Sequence, residues 1–90
     1  MAIPIYTKDP NAIETFGVDW SERLEDATIE TSSWTLPSGI TNTGDSISGQ
    51  TAMIILSGGT AGNSYQLTNR ITTSSGETLD QSIKIAVIQK

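Results

Sequence analysis

Residues 65–73, Tyr65-Gln66-Leu67-Thr68-Asn69-Arg70-Ile71-Thr72-Thr73, and residues 82–88, Ser82-Ile83-Lys84-Ile85-Ala86-Val87-Ile88, decide the fold. In the first run Tyr65, Leu67, Asn69, Ile71 and Thr73 alternate with Gln66, Thr68, Arg70 and Thr72. In the second, Ile83, Ile85 and Val87 alternate with Ser82, Lys84, Ala86 and Ile88. A period of two places successive side chains on opposite faces of a strand. Between the runs lies Ser74-Ser75-Gly76-Glu77, turn residues with a glycine able to take φ > 0. Two long alternating runs about such a turn predict a β-hairpin.

Working upstream, Ser57-Gly58-Gly59-Thr60-Ala61-Gly62-Asn63 turns the chain just before Tyr65, and Thr51–Ser57 (TAMIILS) is an apolar run of strand length. Residues 41–50 (TNTGDSISGQ) are polar and read as a loop or a weak edge strand. Thr28–Leu36 (TIETSSWTL) is strand-like and ends at Pro37-Ser38-Gly39. Its alternation is ambiguous. Glu30, Ser32, Trp34 and Leu36 share one face, Ile29, Thr31, Ser33 and Thr35 the other, and neither is purely apolar. Phe16, Val18 and Trp20 alternate as a short half-buried strand. In Ser21–Asp26, with Asp19 and Glu22 spaced as in a capping box, one helical or 3₁₀ turn is expected. Short strands separated by turn signals through 90 residues predict a small all-β sandwich. Tyr65, opening the penultimate strand after a glycine-rich corner, is either a tyrosine corner bonded back to residues 58–62 or an ordinary half-buried strand tyrosine.

A chain of 90 residues is one domain, burying roughly 60–65% of its unfolded surface. It has no cysteine and no histidine. That removes the usual zinc, haem and iron–sulfur ligands, disulfides and the commonest general base near neutral pH. The net charge of −5 argues against nucleic-acid binding, which needs a basic footprint. No apolar run approaches the ~20 residues of a membrane span, and residues 1–6 resemble no signal peptide. No cofactor and no small-molecule substrate is expected. A Ser–Lys dyad would need a desolvated lysine, and Lys84 alternates outward while Lys90 is terminal. Asp19, Glu22 and Asp26 share a helical face, yet a solvated acidic face explains them better than a glycosidase pair. Calcium ligation lacks the D-x-D-x-D-G spacing. The 58–62 glycines lack the lysine of a phosphate loop and lead into a strand.

Charge and aromatic residues concentrate at one end. Residues 1–30 hold seven acids (Asp9, Glu14, Asp19, Glu22, Glu25, Asp26, Glu30) against Lys8 and Arg23, so they carry the whole net charge. Tyr6, Phe16, Trp20 and Trp34 also lie in the first 34 residues. Trp34 is expected in the core between the sheets, and Trp20 at the open end of the sandwich. Residues 1–12 (MAIPIYTKDPNA) contain two prolines and no core alternation. They read as an extended N-terminal arm before a sandwich over 13–90. The arm either adds to another subunit's sheet edge or packs on its own domain. The residues expected at a protein interface are Ile3, Pro4, Ile5, Tyr6, Asp19, Trp20, Glu22, Glu25 and Asp26. If the arm serves assembly alone, deleting residues 2–7 leaves thermal unfolding nearly unchanged.

The chain resembles phage fiber-tail adaptor proteins, small virion proteins of tailed bacteriophages. The matching residues are Lys8-Asp9-Pro10, Asp19-Trp20-Ser21, Leu24, Thr28-Ile29, Ser33-Trp34-Thr35, Pro37-Ser38-Gly39, the block from Leu56 to Gly62, Tyr65, Asn69-Arg70-Ile71, Thr73, Gly76 and Ser82-Ile83. Their order and spacing extend from residue 8 to 88. One departure is visible: Glu25-Asp26-Ala27 stands where a Gly-Asp turn is expected. The resemblance implies an immunoglobulin-like β-sandwich without catalytic activity, made in the bacterial host cytoplasm and built into the virion. It implies several copies in a symmetric ring, joining neck, tail or fiber subunits by protein–protein contacts. The rival reading is a carbohydrate- or cell-surface-binding immunoglobulin-like module. That module would need exposed aromatics and an export route, and this chain opens with methionine and no signal. A small hydrolase is third.

Overall fold

The computed structural model describes residues 3–89. The predicted hairpin is present as β6 (Ser64–Thr73) and β7 (Thr78–Val87), paired antiparallel from Ser64↔Ala86 to Thr72↔Thr78. Tyr65, Leu67, Asn69, Ile71 and Thr73 face inward and are buried, as are Ile83, Ile85 and Val87. Outward lie Gln66 beside Lys84, Thr68 beside Ser82, and Arg70 beside Asp80. β3 (Ile29–Thr35) pairs antiparallel with β6, and β1 (Ile5–Lys8) lies parallel to β7. These form one sheet in the order β1-β7-β6-β3. The second sheet is β2-β5-β4, from β2 (Glu14–Asp19), β5 (Thr51–Gly58) and β4 (Ile40–Ser48). A four-residue helical turn, α1 (Ser21–Leu24), follows β2. The two sheets face each other as an immunoglobulin-like sandwich, with Ala52, Ile54 and Leu56 of β5 opposite Leu67, Ile71, Ile83 and Ile85.

The ambiguity of β3 has a structural cause. Its register against β6 shifts between Ile29 and Thr31, so Glu30 is the extra residue of a β-bulge. The bulge moves Ile29 onto the inward face with Ser32, Trp34 and Leu36, which strict alternation had divided. Of the polar run 41–50, residues 41–48 lie in the edge strand β4 and 49–50 turn into β5; β4 too carries a bulge, between Asn42 and Gly44.

The tyrosine corner is formed. The backbone N–H of Thr60 donates to the Tyr65 hydroxyl at 2.9 Å. Gly59 sits at φ +94, and a Cβ there would meet Val87 Cγ2 at 2.7 Å, so only glycine fits this corner. The tryptophans differ from expectation in depth. Trp20 is the deeply buried one, 1% exposed, whereas Trp34 is half-buried against the core. The Trp34 indole N–H is enclosed without an acceptor among the described residues.

Of the expected arm, residues 1 and 2 lie outside the described residues. Residues 5–8 are a strand of the molecule's own sheet, with Ile5↔Lys84 through Lys8↔Val87 in register. Pro4 extends this, its carbonyl accepting from Lys84 N at 2.9 Å. Lys8 is fully buried, and its ammonium donates to the carbonyls of Gly58 (2.8 Å) and Asp9 (2.9 Å). A buried ammonium needs such acceptors, so β1 is anchored to the β5–β6 corner. The expectation that residues 2–7 are dispensable for stability does not fit this placement.

Candidate protein interface

β1 and β2 are the edges of their two sheets on the same side of the sandwich, where the Tyr6 and Phe16 rings approach to 5.8 Å between centroids. Exposed apolar surface gathers here. Ile3, Ile5 (64% exposed), Tyr6, Ile13 (70%) and Ile88 are five of the seven large hydrophobic residues left exposed among the described residues. Ile5 points outward from the sheet beside Lys84, while Tyr6 faces the seam beside Ile85.

A groove of about 270 Å³ opens in the seam between Pro4 and Tyr6 on one wall and Gly17, Val18 and Asp19 on the other. Trp20, Arg23, Gln81 and Ile83 complete it. Its volume falls below the roughly 300–1,000 Å³ of drug-sized ligand sites, so it suits one or two side chains.

The turn that bounds the groove is held by polar contacts. Asp19 Oδ1 accepts from Ser21 N at 2.9 Å, an Asx-turn rather than the capping box expected from the sequence. That backbone N–H, and the Ser21 hydroxyl second, hold the Asp19 carboxyl below the usual carboxylate range, so it is ionised at neutral pH. Trp20 Nε1 donates to Asn69 Oδ1 at 2.9 Å, and Asn69 Nδ2 donates to Ser32 Oγ (2.9 Å) and Ser33 O (3.0 Å). One buried asparagine thus ties the turn to β6 and β3, with each of its polar atoms partnered. Gln50, in the β4–β5 turn, donates to the carbonyls of Glu25 and Ala27, and its own carbonyl accepts from Trp20 N. Arg23 covers the Trp20 ring, its guanidinium carbon 5.2 Å from the centroid. Glu22, Glu25 and Asp26 stand exposed beyond it.

The structure therefore brings Pro4, Tyr6, Asp19 and Trp20 to one groove, whereas Ile3, Ile5, Glu22, Glu25 and Asp26 do not line it: the two isoleucines flank Pro4 in sequence, and the three acids stand exposed in and just after α1, forming an acidic shoulder. Trp20 lies beneath this surface as a core residue, because its side chain is almost fully buried and its indole N–H bonds to Asn69. It offers no open ring face to a sugar. Arg23, Gln50, Asn69 and Gln81 were not among the expected site residues. Asn69 carried a signal: an amide at an inward position of an otherwise apolar strand face needs a buried partner. No cluster of three or more metal-ligating side chains exists among the described residues.

No curated protein sequence matches this chain. The family model described as podophage GP4 fiber-tail adaptor protein gp77 matches residues 8–86. That span runs from the buried lysine of β1 through the turn, the corner and the hairpin, and the chain belongs to the podophage GP4 fiber-tail adaptor family, as a structural component of a tailed-phage virion.

Proposed function

We propose that the protein joins neck or tail components to fibers by protein–protein contacts, in several copies arranged as a ring. The interface is the β1–β2 side, with Ile3, Pro4, Ile5 and Tyr6 as its apolar part and Asp19, Glu22, Glu25 and Asp26 as its acidic part. The observation that carries this reading is the gathering of exposed isoleucines and acids on one side of a small sandwich. Modest contacts suffice when many copies act together. Ionised Asp19 and its neighbours favour a basic surface on the partner and help set register.

The test is incorporation into particles. Glu22→Lys/Asp26→Lys alters two exposed side chains of the acidic shoulder, so the variant should fold with its melting temperature nearly unchanged. It should be depleted from purified particles relative to the unaltered protein. Normal incorporation of a folded double variant would refute the interface. Quantitative mass spectrometry of particles should give several copies; a single copy would refute the ring.

A further inference from the structure

Every sandwich must guard its sheet edges, because an unpaired row of backbone N–H and C=O groups templates the addition of another strand. The four edges here are guarded unequally. β1 is only four residues long and is bracketed by Pro4 and Pro10. β3 carries the bulge at Glu30. β4 carries a bulge, held by Thr43 Oγ1 donating to Ile55 O, and places the charged Asp45 at an inward register position opposite Ile54. β2 carries one of these devices, and only at its first residue, where Glu14 takes the inward register position opposite Leu56. It runs six residues in unbroken register with β5, from Glu14↔Leu56 to Asp19↔Thr51, with no proline, lysine or bulge.

The sheets are also unequal, four strands facing three. In constant-type immunoglobulin sandwiches the first strand lies beside the second. Here the first strand has joined the other sheet, beside β7, and the place next to β2 is empty. The groove lies along this edge, lined by Pro4 and Tyr6 from β1 and its approach, Gly17, Val18 and Asp19 from β2, and Ile83 from β7.

We infer that the groove and the free edge of β2 together receive one extended strand of a different virion protein, a strand bearing an apolar side chain opposite Val18 and lysine or arginine near its ends. This rests on the proposed adaptor role and names the partner's chemistry. The backbone of the strand would continue the β2-β5-β4 sheet, and alternate side chains would enter the seam. Charge decides against a second copy as the occupant. In a full-length antiparallel pairing of two β2 strands, Glu14 of each copy falls opposite Asp19 of the other, placing like charges together at both ends. The same two acids favour a strand with basic ends, and the exposed acids Glu22, Glu25 and Asp26 extend that preference. The small groove volume sets the anchor at a side chain or two.

Photo-cross-linking in assembled particles tests this. A benzoylphenylalanine replaces Gln81, and in a second variant Pro4, so that one misfolded variant does not decide the outcome. Controls carry it at Ile55, on the outer face of the three-stranded sheet, and at Glu22 on the acidic shoulder. Both groove positions should cross-link to one segment of a different virion protein with basic residues within a strand's length. Position 55 should not reach that segment. Adding Glu14→Gln/Asp19→Asn, which keeps side-chain shape, should lower the yield from position 81 by roughly 2- to 30-fold, the range for two exposed ion pairs. Cross-links to a second copy, to a segment without basic residues, or from position 22 but neither groove position would overturn the groove and leave the adaptor role standing. An unchanged yield in the neutralised variant would overturn the charge selection. A protein absent from particles would overturn the adaptor role and this inference with it.

Discussion

Replacing Glu25 by glycine should stabilise the protein. Leu24 O accepts from Ala27 N at 2.9 Å, so residues 24–27 form a β-turn with Glu25 at its first central position. Glu25 has φ 54 and ψ −109, and is the one non-glycine residue with positive φ among those described. Those angles belong to the first central position of a type II′ turn, where glycine dominates because a Cβ crowds the backbone. A side chain held in so sparsely populated a region costs about 1–3 kcal/mol. Glycine brings back roughly 0.5–1 kcal/mol of unfolded-chain entropy, leaving a net gain of about 1 kcal/mol. At this size that raises the melting temperature by roughly 4–8 °C. The contacts that hold the turn survive, since Gln50 bonds the Glu25 carbonyl and Glu25 N donates to Ser21 O, both through backbone. Glu25→Ala is the control, because it removes the same charge and keeps the Cβ. The assay is denaturant unfolding of all three proteins, with unchanged m confirming that midpoint shifts report stability. Equal midpoints for the glycine and alanine variants would refute the strain at Glu25.

Asn69→Ala should cost about 2–6 kcal/mol, since it removes the partner of the Trp20 indole N–H and of the Ser33 carbonyl at ~1–3 kcal/mol each, and calorimetry with Trp20→Phe in a double-mutant cycle should show coupling. Tyr65→Phe removes the acceptor of Thr60 N and should lower stability by about 1 kcal/mol in urea titration; no change would mean water replaces the hydroxyl without loss. Deleting residues 2–7 removes Ile5 and Tyr6 from β1, and thermal unfolding should move down by roughly 4 °C or more, the shift for about 1 kcal/mol. Asp19 and Asp80 have carboxyls held below 3.8, by the Ser21 N–H and by the Arg70 guanidinium. Their contribution is present above the unfolded value and lost as pH falls through the lower folded values, so Asp19→Asn/Asp80→Asn should flatten the loss of melting temperature below pH 3.8.

What could be read from the sequence follows from how local its cause was. The β6–β7 hairpin was legible because alternation, a Gly76 turn and strand length agree within 25 residues. The tyrosine corner left two readings open, since its proof is a bond from Thr60 that no pattern displays. β3 misled because a bulge at Glu30 changes the period, and nothing in TIETSSWTL marks where. Trp20 is buried more deeply than Trp34 for a related reason. Trp20 sits among Asp19, Ser21 and Glu22, and what lets its indole be buried is a partner for its N–H at Asn69, 49 residues away. β1 was hidden by its shortness and its flanking prolines, and its partner in β7 lies nearly the whole chain away. The acidic, apolar end was legible as composition. The groove was not, because it comes from a strand lying in one sheet when the other could have held it.

The placement of Asn69 and Gln50 bears on how such a surface binds. Association loses affinity when side chains and loops must be ordered at the moment of contact, at about 0.5–1.5 kcal/mol for each long side chain immobilised. Here the turn bearing Asp19 and Glu22 is already fixed from beneath by the Trp20–Asn69 bond, and from the side by Gln50 on the Glu25 and Ala27 carbonyls. The opposite wall is fixed as well, with Pro4 bonded to Lys84 and Lys8 locked onto Gly58. A partner strand would meet two prepared walls, so most of the ordering would be its own. This predicts a separation of effects. Asn69→Ala should weaken partner capture even under conditions where the domain stays folded, because it loosens the turn without touching any exposed residue. Tyr65→Phe, acting at the β5–β6 corner, should lower stability and leave capture unchanged. If both variants reduced capture in proportion to their loss of stability, the turn would be acting only through the folded fraction, and its fixing from beneath would have no part in binding.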